Sequence, residues 1–352
     1  MNQFETMKKQ NLFNKINRKD LKKALLNESF QRVTVSFYKY FRVQSPASFR
    51  DDLYKKWDRL KIFGRVYVAI EGINAQLSVP EKNWNEFIDD LYKIKELKNI
   101  PLRRALENGK SFFKLTIKVK KELVAYSVSK DLYDMKNTGK HLTAEQYNKM
   151  LDNPDTLIVD MRNYYESEIG RFEGAIIPDV ETSKELLPKV KTLLEGEEEK
   201  NILLYCTGGI RCEKASSYLI RNGFKNVSQL QGGIIQYAHE VKEKGLKSKF
   251  KGKNFVFDER LGERVTDDIL SKCHICKAPC DSHTDCKNDA CHILFIQCKT
   301  CSKKLKGCCS KECRNFAALP IEKQKSFRKN PKKVVSKTFF DSRIKPKLKI
   351  NI

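Results

Sequence analysis

No cysteine precedes Cys206 in this 352-residue chain. No apolar run approaches the length of a membrane span, and the stretch from Ala317 onward is nearly free of acids. A spanning helix needs about 20 apolar residues, so no membrane-spanning helix is expected. The opening "MNQFETMKKQNLFNKINRKD" has no apolar core of the secretory kind, which argues against export. Residues 1–30 read as a partly disordered leader on a cytoplasmic protein. Without an oxidising compartment, disulfides are disfavoured for the twelve cysteines.

What is abundant is positive charge: 69 Lys and Arg against 44 Asp and Glu, a formal net charge of +25. Such a field attracts polyanions, of which nucleic acid is the commonest in a cytoplasm. Solubility and a lysine-biased genome are the plain alternative. The tail, 317–352, interleaves aromatics with lysine and arginine in "FRKNPKKVVSKTFFDSRIKPKLK", a pattern suited to phosphate contact with some base stacking.

A chain of this length calls for two or three domains. Residues 31–128 run strand, helix, strand, strand, helix, strand. "RVTVSFYKYF" alternates as a strand does, and Phe49, Leu53, Trp57 and Leu60 recur at helical spacing after Ser45 or Ser48 as cap. "GRVYVAIEGINAQLSV" makes two strands around a turn at 71–74, and "FFKLTIKVKKELVAY" supplies the last strand. This is the ferredoxin-like α+β order.

Residues 129–150 form a linker in which Thr143 and Gln146 complete a capping box. Residues 151–247 then alternate strands and helices. "TLIVDMRN" and "NILLYC" are short apolar runs of buried parallel strands, and "CEKASSYLIRNGF" is a helix stopped by Gly223. The expected class is a multidomain α/β protein whose second domain is built on a parallel sheet.

Ligands of open α/β sheets bind beyond the carboxyl ends of strands, and Cys206 follows "NILLY" there. Thr207, Gly208, Gly209, Ile210 and Arg211 make a short loop leading into a helix. Its amides suit an anion nest, the helix start adds partial positive charge, and Arg211 adds a full one. All three favour thiolate over thiol, so Cys206 is the candidate nucleophile. A merely buried cysteine is the plain alternative. Cys212 reads either as a resolving thiol or as helix packing. Asp160 and Arg162 end a neighbouring strand, where they support the same mouth or simply pair with each other.

Residues 248–316 hold ten of the twelve cysteines. Cys273-x-x-Cys276 and Cys298-x-x-Cys301 are two pairs at zinc-ligand spacing. Cys280, His283, Cys286, Cys291, His292, Cys308, Cys309 and Cys313 offer ligands for a second site. The segment is too small and polar for a good core, so structural zinc would supply folding energy. Redox-active or unmetallated thiols are the alternative.

The loop "CTGGIR" is similar to the active loop of rhodanese domains, which carry a persulfide on the cysteine. "VDMRN", "LQGGI" and, loosely, "FEGAIIP" resemble other rhodanese segments. "GRVYVAIEGINAQLSV", "TGKHLTAEQYN", "DMRNYYESEIGRFEGAIIP", "CTGGIRCEKASSYL", "LQGGIIQY" and "GKNFVFDERLGERV" together resemble one bacterial family. It is the rhodanese-domain family of oxygen-dependent tRNA uridine hydroxylases, which make 5-hydroxyuridine at wobble position 34. The resemblance implies tRNA as partner, O2 as co-substrate, no organic cofactor, and Cys206 as the active-site residue. The loop by itself also allows a sulfurtransferase carrying a persulfide on Cys206. Charge and zinc alone allow a non-catalytic RNA-binding protein.

Overall fold

The alternating segments of the first hundred residues become a single sheet in the computed structural model. It describes residues 12, 14, 16–107, 109–180, 182–291 and 293–329. The rest of the expected leader, the tail from 330 and the candidate ligand His292 lie outside the described residues. The chain divides into two compact units, Met1–Leu123 and Val124–Ile352.

In the first unit, helix α1 (Arg18–Leu26) is capped by the Asn17 side chain, which accepts from the Lys19 N–H. There follow β1 (Arg32–Tyr40), α2 (Pro46–Arg59), β2 (Phe63–Ala69), β3 (Gly72–Pro80), α3 (Trp84–Tyr92), β4 (Arg103–Arg104) and β5 (Leu115–Val119). The sheet order is β4-β1-β3-β2-β5. Helix α2 follows Ser45 as its cap residue, with Pro46 in its first turn, a position where the missing N–H costs nothing. Leu53, Trp57 and Leu60 are buried against Phe37, Val66 and Leu77 of the sheet's inner face.

Two details differ from the sequence reading. The hairpin turn is only Ile70–Glu71, since Ala69 pairs directly with Gly72, and Asn74 stands inside β3 opposite Tyr67. The place beside β1 that completes the ferredoxin-like order is filled by the two-residue β4. The longer β5 instead pairs parallel with β2 on the far edge. Local pattern identifies a strand, but the edge it joins is decided by tertiary packing.

The second unit begins with β6 (Lys140–Leu142), α4 (Ala144–Leu151), β7 (Thr156–Asp160), α5 (Tyr164–Ser167), β8 (Gly170–Phe172) and α6 (Ser183–Leu193). It continues with β9 (Asn201–Tyr205), α7 (Ile210–Arg221), β10 (Asn226–Leu230) and α8 (Gly233–Glu243). Strands β6-β10-β9-β7 form a sheet in which every pair is parallel. Strand β9, in the interior of the sheet, is an almost unbroken apolar run because both its faces are covered. On β9, Ile202 and Leu204 face one core cluster, and Leu203 and Tyr205 the other. The Thr143–Gln146 capping box is present at α4. Gly223 ends α7 at φ 97°, with Gly223 N–H on Ile220 O at 3.1 Å and Phe224 N–H on Leu219 O at 3.2 Å. Those two bonds are the Schellman pattern.

Strands β11 (Phe250–Asn254) and β12 (Glu263–Arg264) join β8 in a three-stranded antiparallel sheet. The cysteine-rich segment adds the hairpin β13 (His283–Asp285) and β14 (Leu294–Ile296), then α9 (Lys299–Leu305), α10 (Lys311–Ala317) and α11 (Ile321–Lys329). No helix among the described residues is long and apolar enough to cross a membrane.

Candidate active site and metal centres

Strand β9 delivers Cys206 to the carboxyl edge of the parallel sheet, and the chain turns through Thr207–Gly209 into α7. Gly209 takes φ 97° at the cap of that helix. Only glycine adopts this backbone without strain, and the turn brings the Gly209 N–H to 3.1 Å from Cys206 Sγ. Helix α7 begins at Ile210, so Ile210 and Arg211 belong to its first turn rather than to a loop.

The sulfur is fully buried. Burial alone would push its pKa up. A hydrogen bond from Cys212, the Arg211 charge and the N–H groups of Arg211 and Gly209 outweigh that and bring it to about 6. Cys212 is driven well above the ordinary thiol value by burial and by the same hydrogen bond. The two thiols therefore split into a thiolate and its donor.

Arg211 does not stand alone. Its guanidinium holds the Glu166 carboxylate through both nitrogens, Nη1 to Oε1 at 2.6 Å and Nη2 to Oε2 at 2.8 Å, and Nη2 also reaches Thr207 Oγ1 at 3.2 Å. Glu166 Oε1 accepts the Asn163 N–H at 3.0 Å as well, closing a capping box at the start of α5. From the other side, Tyr126 donates its phenol to Arg211 O at 3.1 Å.

Helix α8 clamps the loop's backbone. The N–H of Ile234 donates to Cys206 O at 3.0 Å and that of Ile235 to Thr207 O at 3.2 Å. Gly233, at φ 69°, makes this possible. A Cβ there would sit 2.5 Å from Cys206 O and 2.7 Å from Gly208 N. The second glycine of "LQGGI" is thus a close-approach residue for the nucleophile's loop.

Asp160 and Arg162 are both fully buried and hold each other, Nε to Oδ1 at 2.9 Å and Nη2 to Oδ2 at 2.7 Å. Asp160 also accepts from Ser167 Oγ and Tyr205 OH, each at 2.7 Å, and Arg162 donates to Gly170 O at 2.6 Å. They meet the residue before Cys206 rather than the sulfur, and they brace the β7, β8 and β9 ends from behind. Sequence reasoning offered Glu166 only as a base-orienting or salt-bridging residue and gave Tyr126 and Gly233 no individual role. Glu166 carried a signal in the Asn163-x-x-Glu166 capping spacing and Gly233 in "LQGGI", whereas Tyr126 carried none.

Eight of the ten remaining cysteines resolve into two groups. Sγ atoms of Cys273, Cys276, Cys298 and Cys301 lie within 4.8 Å of one another, and so do those of Cys286, Cys291, Cys309 and Cys313. Cys280, His283 and Cys308 belong to neither group. Adjacent sulfurs stand 3.6 Å apart for Cys276–Cys298, 3.7 Å for Cys291–Cys309 and 3.6 Å for Cys309–Cys313. Four sulfurs about 2.3 Å from one tetrahedral ion would be about 3.8 Å apart, so the thiols fit such a metal.

Donors around the sulfurs support that fit. Cys273 Sγ accepts the Cys298 N–H at 3.4 Å, Cys286 Sγ the Cys309 N–H at 3.4 Å, and Cys313 Sγ the Asn288 amide at 3.4 Å. Such bonds stabilise thiolate charge beside a metal. The first group is tied to the sheet domain by His274, whose Nε2 lies 2.6 Å from Glu168 Oε1.

A thiolate on a parallel-strand end, with loop amides aimed at it and a helix starting directly after, is the arrangement of a rhodanese-like domain. Residues 143–240 match the Rhodanese-like domain family, 32–123 the UPF0176 acylphosphatase like domain, and 251–314 the Rhodanase C-terminal family. The chain is 52% identical over 319 residues to the tRNA uridine(34) hydroxylase of Photorhabdus laumondii, covering 90% of this chain and 91% of that one. It is equally 52% identical to the tRNA uridine(34) hydroxylase of Yersinia pestis, covering 90% of each. This chain belongs to the tRNA uridine(34) hydroxylase family.

Proposed function

We propose that this protein hydroxylates C5 of uridine 34 in tRNA, with O2 as oxidant and Cys206 as nucleophile. The observation that carries the reading is a sulfur held as thiolate at neutral pH, with a pKa of about 6, in a chain with relatives of that activity. Uracil C5 is weakly nucleophilic by itself. Addition of Cys206 Sγ to C6 moves the C5–C6 electron pair into an enolate over C4–O, and C5 then bonds to dioxygen. The C5 peroxide anion takes a proton from solvent, and two electrons and two further protons, supplied by a thiol reductant, cleave the O–O bond to leave C5–OH and water. Loss of the C5 proton expels the thiolate from C6 and restores the ring. The N–H groups of Gly209 and Arg211 hold the sulfur's charge before addition and after expulsion.

Zinc is the metal that suits two sets of four cysteines, and its role here is structural. With every ligand position filled by protein, neither site has an opening for substrate, and the ions supply folding energy to a segment with little apolar core.

The test is nucleoside mass spectrometry of tRNA from cells lacking the gene and complemented with wild type or Cys206→Ala. Heavy-isotope dioxygen should label 5-hydroxyuridine with wild type only. Full hydroxylation by Cys206→Ala would overturn the role of the sulfur. A persulfide on Cys206 with no dependence of 5-hydroxyuridine on it would instead mark a sulfurtransferase, the other chemistry this loop permits.

A further inference from the structure

The first unit's sheet has an inner face sealed by α2 and α3 and an outer face for which the reaction has no use. Successive strand residues point to opposite faces. Since Phe37, Val66, Ala75 and Ile117 are buried in the core, their strand neighbours face outward. The register then sets out two rows across the sheet. Tyr38, Asn74, Tyr67 and Lys118 stand side by side on β1, β3, β2 and β5. Beside them run Arg103, Ser36, Gln76, Arg65 and Thr116 on β4, β1, β3, β2 and β5.

Neither row contains an acid. Arg65 and Lys118 are exposed, and Tyr38, Tyr67, Asn74 and Gln76 are half-buried. The Arg103 guanidinium lies 4.9 Å from the Tyr38 ring centroid, and Lys120 Nζ lies 5.2 Å from that of Tyr67. Nearer the start of β1 the same face is already occupied, with Thr34 Oγ1 on Ser111 Oγ at 2.7 Å and Arg32 at 4.0 Å over Phe63. The two rows are therefore confined to the half of the sheet toward the β2–β3 turn.

We propose that this half of the sheet binds single-stranded RNA, the anticodon loop of the substrate. Tyr38 and Tyr67 flank the central strand about 10 Å apart and offer rings for base stacking. Asn74 between them reads a base edge. Arg65, Arg103, Lys118 and Lys120 meet phosphates. A flat sheet with aromatics on neighbouring strands suits unstacked bases, whereas double-stranded RNA is recognised by shape and backbone across its minor groove. Charge selects RNA over a protein partner, because these rows present cations and amides without a single acid. The proposal rests on the tRNA reading above and adds to it a site in the first unit, whereas the sulfur belongs to the second.

The test uses the full chain and a fluorescein-labelled anticodon stem-loop, with anisotropy as readout. Tyr67→Ala should weaken binding by roughly 5- to 100-fold, as loss of one stacked base does, and Tyr67→Phe should bind like wild type. The double change Arg65→Gln with Lys118→Gln, at exposed positions that folding does not need, should lower the salt slope of log affinity by about 1.4, roughly 0.7 per lost phosphate. Cys206→Ala should bind as wild type while making no 5-hydroxyuridine. Unchanged affinity and salt slope in the sheet variants, with wild type binding well, would overturn the sheet site and leave the tRNA reading standing. RNA binding that depends on the sheet without any hydroxylation would support the site and count against the reaction alone. No binding by wild type would overturn both.

Discussion

Arg211 and Glu166 meet through two parallel hydrogen bonds, 2.6 and 2.8 Å long, with Glu166 fully buried and the Arg211 side chain 11% exposed. The pair joins α5 to the first turn of α7 and holds the guanidinium beside the thiolate. It also tempers the cation, because Glu166 neutralises part of the field that Cys206 feels. Glu166→Gln should therefore do two opposite things. Breaking a buried pair from one side costs roughly 3–5 kcal/mol, so the thermal midpoint falls. With the carboxylate charge gone, Arg211 acts on the sulfur unopposed, and the Cys206 titration midpoint moves below about 6. Thiolate ultraviolet absorbance against pH, taken as a difference from Cys206→Ala, measures the second effect. A midpoint that rises would show that Glu166 acts on the sulfur mainly by placing Arg211.

The pH dependence of the reaction follows from the same sulfur. Its folded pKa is depressed to about 6 from a reference of 9.0. The stability linked to ionisation is thus fully present above the unfolded value and is lost as pH falls through about 6. Activity should track the thiolate: flat above neutrality, and near one tenth of the plateau about one unit below the midpoint. Single-turnover rates of 5-hydroxyuridine formation across that window check it. A rate independent of pH between 5 and 8 would separate the rate-limiting step from Cys206 ionisation.

Gly233 reports on the loop from the outside. An added methyl would meet Cys206 O and Gly208 N at 2.5 and 2.7 Å, and the backbone is left-handed at φ 69°. A non-glycine residue in that region costs about 1–3 kcal/mol even without a clash. Gly233→Ala should push the loop off the helix, lengthen the Gly209 N–H to sulfur bond, and raise the thiolate midpoint while lowering activity. Gly174, also left-handed at φ 74° but with nothing within 4 Å of its Cβ position, supplies the control. Gly174→Ala should cost some stability and leave the thiolate where it was.

The parts of this site that the sequence displays are those built from contiguous residues. Cys206 to Arg211 lie in one stretch, so strand end, glycine turn and helix start can be read together. The parts it hides come from elsewhere in the chain. Glu166 is 45 positions from Arg211, and Tyr126 is 85 away. Only folding of the parallel sheet brings them together. The same holds for the cysteines. Their spacing identifies the first set of four, because two Cys-x-x-Cys pairs constrain it. In the second set, Cys308 and Cys309 are adjacent and indistinguishable by spacing. The β13–β14 hairpin and the start of α10 decide between them. In the first unit the alternation shows four strands, and the two-residue β4 is not among them. It does not say that the two residues of β4, rather than the longer β5, stand beside β1, since pairing is a long-range choice.

That adjacent pair gives the clearest test of the metal centres. Cys309 Sγ lies 3.7 Å from Cys291 Sγ and 3.6 Å from Cys313 Sγ. Cys308 Sγ instead lies 4.0 Å from Lys306 O and is not one of the four clustered sulfurs. Protein purified without chelator should carry two zinc ions per chain by elemental analysis. Cys309→Ser should remove one of them and lower the thermal midpoint, because a structural site's binding energy is folding energy. Cys308→Ser should keep both ions. Cys298→Ser should remove the other ion while sparing the one held by Cys286, Cys291, Cys309 and Cys313. Equal loss in Cys308→Ser and Cys309→Ser would mean that the second site draws its ligands differently. Two retained ions in Cys309→Ser would remove that cysteine from the ligand set.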